Sequence, residues 1–466
     1  MVHPLLPACR SLVLVRTRIL VLALLPAIAG LAGCTAGTEK APGETPTAPA
    51  LATLPASDPG TGAPRLLDAT PGSVATPSAP SFTPLAGARA YTGTIGQAAY
   101  LIEVPADWNG ELVLWAHGVR GFSSEVYAES PPPALRGALI RQGYAWAASS
   151  FSENGFIPGI ATNDTLLLKW FFSEQFGRPT RTYIAGNSMG GNVVALSLEN
   201  FPDEYDGGLS FCGVVAGEEW IDYLLAWVMA AEFIAGVELP LDGGSARVTA
   251  MVETAVLPAL GPAESPATKG LAFRSVVRNL TGGPRPFFVE GFRKAFPANF
   301  GLITGDPGRT MPLTRAATTD GIDFRADPGL GFDGNTVNEG VRRLTADLDL
   351  RDPAKHPDTA PTTGKLGDPL LTLHESGDLT VPISLEQSYR QKAGAAGAGD
   401  LLVQRIIRNG AHCEFSDTEI TRAWNDLRAW VAGKGKPPGD DLTGDLTDAG
   451  RAFTEPFRPG DPGTIR

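Results

Sequence analysis

The chain of 466 residues is poor in the side chains that build metal and redox chemistry. It has four cysteines and five histidines. Four cysteines are too few for a disulfide framework, and they fall in no zinc spacing, so no metal is expected. Runs of Lys or Arg are missing and the formal net charge is −12. Nothing here would draw a phosphate backbone over a surface, which argues against a nucleic-acid partner. No P-loop is present, and no strand leads through a phosphate-binding glycine turn into a helix, so no nucleotide cofactor is expected. The apolar run Ile19 to Gly33 is too short to span a bilayer comfortably. What remains is 43% hydrophobic and 19% charged, enough to bury one large domain with an insertion.

The N-terminus reads as a targeting segment. Arg10, Arg16 and Arg18 form a basic region ahead of the apolar run, which ends in Leu31-Ala32-Gly33-Cys34. This stretch resembles the lipobox of bacterial lipoproteins. The resemblance implies a signal peptide over 1–33, cleavage before Cys34 and lipid on Cys34. The protein is then exported to the cell envelope and meets the membrane through that anchor. An ordinary secretory signal with an incidental Cys34 is the alternative, and it too exports the chain. Residues 34–84 are rich in Pro, Ala, Thr and Gly, cannot bury a core, and read as an extended tether.

The folded part is expected from 85 onward. Ala88–Thr94 and Ala98–Val104 read as two strands, and Glu111–Ala116 as a buried third. A helix over Ala134–Tyr144, a strand over Ala145–Ser150 and an amphipathic helix over Asn163–Phe176 follow. That helix is expected to bury Leu166, Leu167, Trp170 and Phe171. Arg181 to Leu196 reads as strand, tight turn, helix, and Gly208–Val215 as the next strand. Strands alternating with helices argue a parallel sheet covered on both faces.

The rhythm breaks after Gly217. Trp220–Val237, Ala246–Leu257 and Lys269–Leu280 have apolar helical faces, and no strong strand returns before Pro369. Residues 218–362 are therefore read as a mainly helical cap inserted into a core made of 85–217 and 363–433. Leu370–His374 and Leu401–Ile407 are the last strands. Ser416-Asp-Thr-Glu419 is a capping box that opens a closing helix, with Ile420, Trp424, Leu427 and Trp430 as its stripe and Gly433 as its stop. Residues 434–466 read as an irregular polar tail.

The chemistry centres on Gly186-Asn187-Ser188-Met189-Gly190. A serine on a strained strand-to-helix turn needs neighbours two positions away that carry no bulk. The following helix aims its free N–H groups at developing negative charge. Such a serine needs a base, and the base an orienting acid. With five histidines, elimination works. His3 leaves with the signal, His117 lies in an early turn, His356 in the Pro-rich return segment and His374 inside a strand. His412, in the loop before the closing helix, is left as the base. For the acid, Asp378 leaves the preceding strand in Glu375-Ser-Gly-Asp378-Leu-Thr-Val-Pro382, with Glu375 as its rival.

The order Ser188, Asp378, His412, the G-x-S-x-G turn and the early His117-Gly118 resemble those of α/β-hydrolases. The resemblance covers about 85 to 433 outside the cap. It implies an oxyanion hole from the N–H of Met189 and one from the turn His117–Gly121. Val119 is chosen for the second, with Gly118 as rival. In the tannase and feruloyl-esterase relatives, a cysteine after the histidine is bridged to one beside the serine. Asn187 breaks that pattern here. Cys212 nevertheless lies near the same sheet edge as Cys413, and two exported cysteines near one site favour a disulfide over two buried thiols. The expectation is a serine hydrolase of small or polymeric carboxylic esters, needing no cofactor. A peptidase or amidase on the same fold and a non-catalytic binding lipoprotein are the alternatives. The residues set no oligomeric state.

Overall fold

Glu111–Ala116, Glu-Leu-Val-Leu-Trp-Ala, shows how the sheet is built. Leu112, Leu114 and Ala116 belong to one apolar cluster, while Val113 and Trp115 belong to another. A strand alternates its side chains, so both of its faces are covered, as in a parallel sheet flanked by helices. The computed structural model describes residues 76–78, 82–121, 123–241, 245–304, 313–332 and 335–455. The expected signal peptide, Cys34 and all but the last few residues of the tether lie outside them.

We number the strands of the main sheet β1 Ala88–Ile95, β2 Ala98–Pro105, β3 Glu111–Ala116, β4 Ala145–Ser149, β5 Arg181–Asn187, β6 Gly207–Phe211, β7 Leu370–Glu375 and β8 Leu402–Ile407. Their spatial order is β1-β2-β4-β3-β5-β6-β7-β8. The pairs β1–β2 and β2–β4 are antiparallel. The others are parallel. This is the α/β-hydrolase fold. One face carries α1 Pro133–Arg141 and the closing helix; the other carries α2 Pro158–Phe176, α3 Met189–Asn200 and the inserted cap. No helix among the described residues is long and apolar enough to cross a membrane.

The insertion runs between Phe211 and Leu370. Its first helix, α4 Glu219–Ala235, is buried almost all round. Trp227 on α4 packs against Phe273, Phe292 and Phe300. Phe273 lies on α5 Thr268–Leu280 and Phe292 on α6 Phe288–Ala295. After the cap, α7 Ile383–Ala395 follows β7, and α8 Asp417–Ala429 closes the core. Both arms of the Ser416/Glu419 capping box are made. Ile420, Trp424 and Leu427 are buried, while Trp430 is half-buried.

Three sequence expectations are corrected. The second core helix begins at Pro158, five residues before Asn163. Its start is capped from far away: Asp358 Oδ1 accepts from Gly159 N at 2.9 Å and Ile160 N at 3.2 Å. Of its expected stripe only Leu166 is buried. Leu167, Trp170 and Phe171 are half-buried, and Leu168 and Phe172 are buried instead. The cause is that α2 is covered by the sheet, by α3 and by the return segment, so no single stripe marks its inner face. The ordered structure also begins before 85, because Thr76–Ser78 pairs in parallel with Glu125–Tyr127 and the Phe82 ring packs edge-on against Trp146.

The tail is irregular over 435–455 but not loose. It lies along the outer edge of β8, where Ile406 N donates to Asp440 Oδ2 at 2.8 Å and Asp440 N to Gln404 O at 2.7 Å. Leu442 and Leu446 are buried with Ile383 and Ile406. An exposed strand edge is a template for unwanted pairing, and this segment covers it.

Candidate active site

Ser188 stands between β5 and α3 at φ 55° and ψ −121°, a strained conformation that surrounding packing must enforce. The enforcement is visible in two glycines. A Cβ on Gly190 would lie 2.0 Å from the Ala116 carbonyl oxygen, and one on Gly186 would lie 2.4 Å from the Gly190 oxygen. The crowding that excludes side chains at 186 and 190 holds the turn tight and pushes Ser188 to the C-terminal edge of the sheet.

The structure brings three of the expected side chains together. Ser188 Oγ lies 3.0 Å from His412 Nε2, and His412 Nδ1 lies 2.6 Å from Asp378 Oδ2. Asp378 is buried, whereas a quarter of the His412 side chain is exposed. The other oxygen, Asp378 Oδ1, accepts from Thr380 N at 2.8 Å and Val381 N at 3.1 Å. The rival acid, Glu375, points elsewhere: its Oε1 accepts from Glu414 N at 2.5 Å. Burial first, then the nearby Asp378, hold Glu375 well above the ordinary carboxylate range.

His117 and Gly118 flank the serine from the end of β3. A Cβ on Gly118 would lie 2.9 Å from Ser188 Cβ and 3.5 Å from Oγ, so this turn passes directly over the hydroxyl. His117 is stacked on Phe151 with ring centroids 4.1 Å apart. Its Nδ1 lies 2.7 Å from Gly118 O and its Nε2 3.1 Å from Ser150 O. Burial, aided by the Arg120 charge, holds its pKa down at about 3. A neutral ring has one N–H, so one of the two contacts is a donated bond that braces the turn. Val119 follows in that turn. Met189 opens α3, where the first N–H groups of a helix have no intrahelical acceptor.

Cys212 and Cys413 both sit at positive φ, 46° and 64°. Their Cα atoms are 5.3 Å apart and their sulfurs in contact, within the reach of a disulfide. Asn187, before the serine, reaches toward the Cys413 sulfur at 4.0 Å. Cys212, His412 and Cys413 offer ligand atoms within 4.8 Å of one another. The two sulfurs face each other and His412 Nε2 faces Ser188, so these atoms already have partners and leave no open ligand set.

Sequence reasoning missed the grip of the cap on the acid turn. Arg285 Nε donates to Ser376 O at 2.6 Å, Trp220 Nε1 to Thr380 O at 2.8 Å, and both Tyr223 Oη and Asn299 Nδ2 to Leu379 O at 2.6 Å. Helix α6 also rests on the turns that carry Asp378 and His412. These contacts join residues far apart in the chain, and no local pattern marks them.

No family model matches the chain. Among characterised proteins it is similar to an o-phthalyl amidase of Xanthobacter agilis, 23% identical over 397 residues, spanning 72% of this chain and 86% of the relative. Feruloyl esterase B from Aspergillus oryzae aligns at 12% identity with a TM-score of 0.44, covering 75% of this chain and 81% of that one. A Pyrococcus furiosus esterase aligns at 11% identity and TM-score 0.39, covering 78% of this chain and 99% of that one.

Proposed function

We propose that this chain is an exported serine hydrolase that cleaves carboxylic esters through Ser188, His412 and Asp378. The observation that carries the reading is the line of contacts from Ser188 Oγ through the His412 ring to Asp378 Oδ2, at 3.0 and 2.6 Å. Ser188 Oγ attacks the acyl carbon while His412 Nε2 takes its proton. His412 then gives that proton to the leaving alcohol, and Asp378 fixes the tautomer and balances the imidazolium. Water, deprotonated by the same ring, releases the acid from the acyl-serine. The backbone N–H of Met189 and of Val119, with Gly118 as the alternative to Val119, face the oxygen that becomes negative; each such donor is worth about 3 kcal/mol.

A disulfide between Cys212 and Cys413 belongs to the same reading, and so does a lipid anchor on Cys34 behind the Leu31-Ala-Gly sequence. Carboxamides are the second substrate class. The 23% identical relative is named for amidase activity, and the triad chemistry serves both bonds.

A fluorophosphonate probe tests the reading. It should label the wild-type chain and not Ser188→Ala. Labelling that persists in Ser188→Ala, or none in either, would overturn it. Paired p-nitrophenyl esters and anilides of the same acids then rank the two substrate classes.

A further inference from the structure

Strand β7 carries a second histidine that the proposed chemistry does not use. His374 is completely buried. Its Nε2 lies 2.7 Å from the Val381 carbonyl oxygen and 3.8 Å from Asp378 Oδ2. Its Nδ1 lies 3.3 Å from Glu386 Oε1 on α7. Apart from that contact, neither atom has a hydrogen-bond partner among the described residues. The second oxygen of Glu386 is occupied: it accepts from Thr372 Oγ1 at 2.9 Å and Gln404 Nε2 at 2.6 Å.

Carbonyl and carboxylate oxygens only accept. A neutral imidazole has one N–H and would aim its other lone pair at oxygen in a buried site. An imidazolium suits both neighbours. The charged and titratable groups around it are Glu386 from α7, Asp378 from the acid turn and Glu375 from β7 itself. Beyond Asp378 lie Arg285 and Tyr223 of the cap, both of which feel its charge. Burial opposes charge on His374, but Glu386, then Asp378 and Glu375, outweigh it and lift its pKa to about 9. Burial raises Glu375 well above the ordinary carboxylate range, and the cations His374 and Arg285 face the carboxylates Glu386 and Asp378.

We propose that His374 is a positioning residue: an imidazolium clamped between Glu386 and Asp378 that keeps Asp378 turned toward His412. The inference rests on the reading of Ser188, His412 and Asp378 as a triad. The ring acts at two points. Its charge faces Asp378 Oδ2, the oxygen that meets His412. Its Nε2–H holds the carbonyl of Val381, the residue whose own N–H donates to Asp378 Oδ1.

Two measurements on the full-length protein test it. Ring-¹⁵N NMR of the histidines, with His374 identified by its loss in His374→Gln or its shift in Glu386→Gln, should show both nitrogens protonated at pH 7. Deprotonation should come only toward pH 9. In kinetics, His374→Gln should lower kcat about 10²-fold through a misplaced acid, with KM unchanged. The acid limb of kcat/KM should move up in pH, because a cation close to the catalytic base and acid has been removed. Glu386→Gln should bring the deprotonation of His374, read by NMR, down in pH, because its neighbouring carboxylate has been removed.

A packing role alone would lower Tm and leave the limb in place. A singly protonated ring at pH 7, or an unmoved limb in a variant that folds, overturns the proposal. If His374→Gln does not fold, the wild-type NMR and the His374 titration in Glu386→Gln decide. Loss of fluorophosphonate labelling at Ser188 in the wild type marks failure of the hydrolase reading. That result overturns the positioning role, while NMR still reports the charge on His374.

Discussion

Gly291 of the cap and Gly377 of the acid turn meet backbone against backbone. A Cβ on Gly291 would lie 1.6 Å from the Gly377 carbonyl oxygen, and one on Gly377 would lie 2.4 Å from the Phe287 oxygen. The base loop is gripped in the same way: a Cβ on Gly410 would lie 2.7 Å from Glu290 Cγ. Helix α6 therefore touches the turns on either side of the Asp378–His412 contact. Gly291→Ala should force cap and turn apart. The expected cost is about 1–3 kcal/mol in unfolding free energy and about 10² in kcat, the loss that follows a shift near 1 Å at the acid. Gly301→Ala, where a Cβ meets nothing within 4 Å, is the control and should do neither. Thermal unfolding and steady-state kinetics on both variants check this.

The two carboxyl groups of the acid turn should separate cleanly. Asp378→Asn leaves the side chain's shape intact but favours the wrong His412 tautomer, so kcat should fall about 10⁴-fold. Glu375 does not reach His412, and burial holds its carboxyl well above the ordinary carboxylate range. Glu375→Gln should therefore cost far less. Reversed magnitudes would mean that the acid is misassigned.

Why the candidate triad residues could be picked from the sequence, and the contacts of the cap with the turn carrying Asp378 could not, follows from range. Ser188 needs small neighbours at 186 and 190, where the turn crowds against itself and against the Ala116 carbonyl, and that requirement falls within five consecutive residues and leaves a local signature. Asp378 and His412 each follow a strand whose apolar run is plain. The start of α2 left none, because its cap, Asp358, is 199 positions from Gly159. Arg285, Trp220, Tyr223 and Asn299 were invisible for the same reason, since each recognises a carbonyl of the acid turn across the inserted segment. His374 could be read only as a strand residue, because the acids that surround it come from three different elements.

The cysteines near the site make a separate prediction. A bridge from Cys212 to Cys413 would close a loop of 201 positions that contains the whole cap. Chain-entropy reasoning puts its stabilisation at about 5 kcal/mol as a model-dependent upper figure. Thiol titration of the denatured protein without reductant should find neither Cys212 nor Cys413 free. Cys413→Ser should lower Tm. It should also lower kcat at temperatures where the protein is still folded, because position 413 adjoins the base.

Removing the tail should expose the sheet. Truncation after Lys436 deletes the Asp440 bonds to Gln404 and Ile406, the Thr454 Oγ1 that accepts from Arg408 N at 2.8 Å, and the buried Leu442 and Leu446. Strand β8 would then present an unpaired edge. Concentration-dependent aggregation, read by light scattering, is expected at temperatures where the full chain stays monodisperse. A truncated protein that stays as soluble as the full chain would show that the edge needs no cover.

Alkaline conditions should weaken the folded state through His374. Its pKa is raised from 6.5 to about 9, so the folded chain holds this proton more tightly than the unfolded chain. The stabilisation from this group is therefore fully present below pH 6.5. It declines as pH rises through that value and is gone above about pH 9. Two and a half pKa units correspond to about 3 kcal/mol at most. Other groups titrate in this window, so the test is a difference: unfolding free energy against pH for the wild type minus that for His374→Gln. The difference should be flat below pH 6.5, slope downward between pH 6.5 and 9, and flatten again beyond. A difference that instead rises with pH up to about 6.5 and is level above it would mean that His374 folds as a neutral ring, and that Asp378 is held in place by the cap and the turn alone.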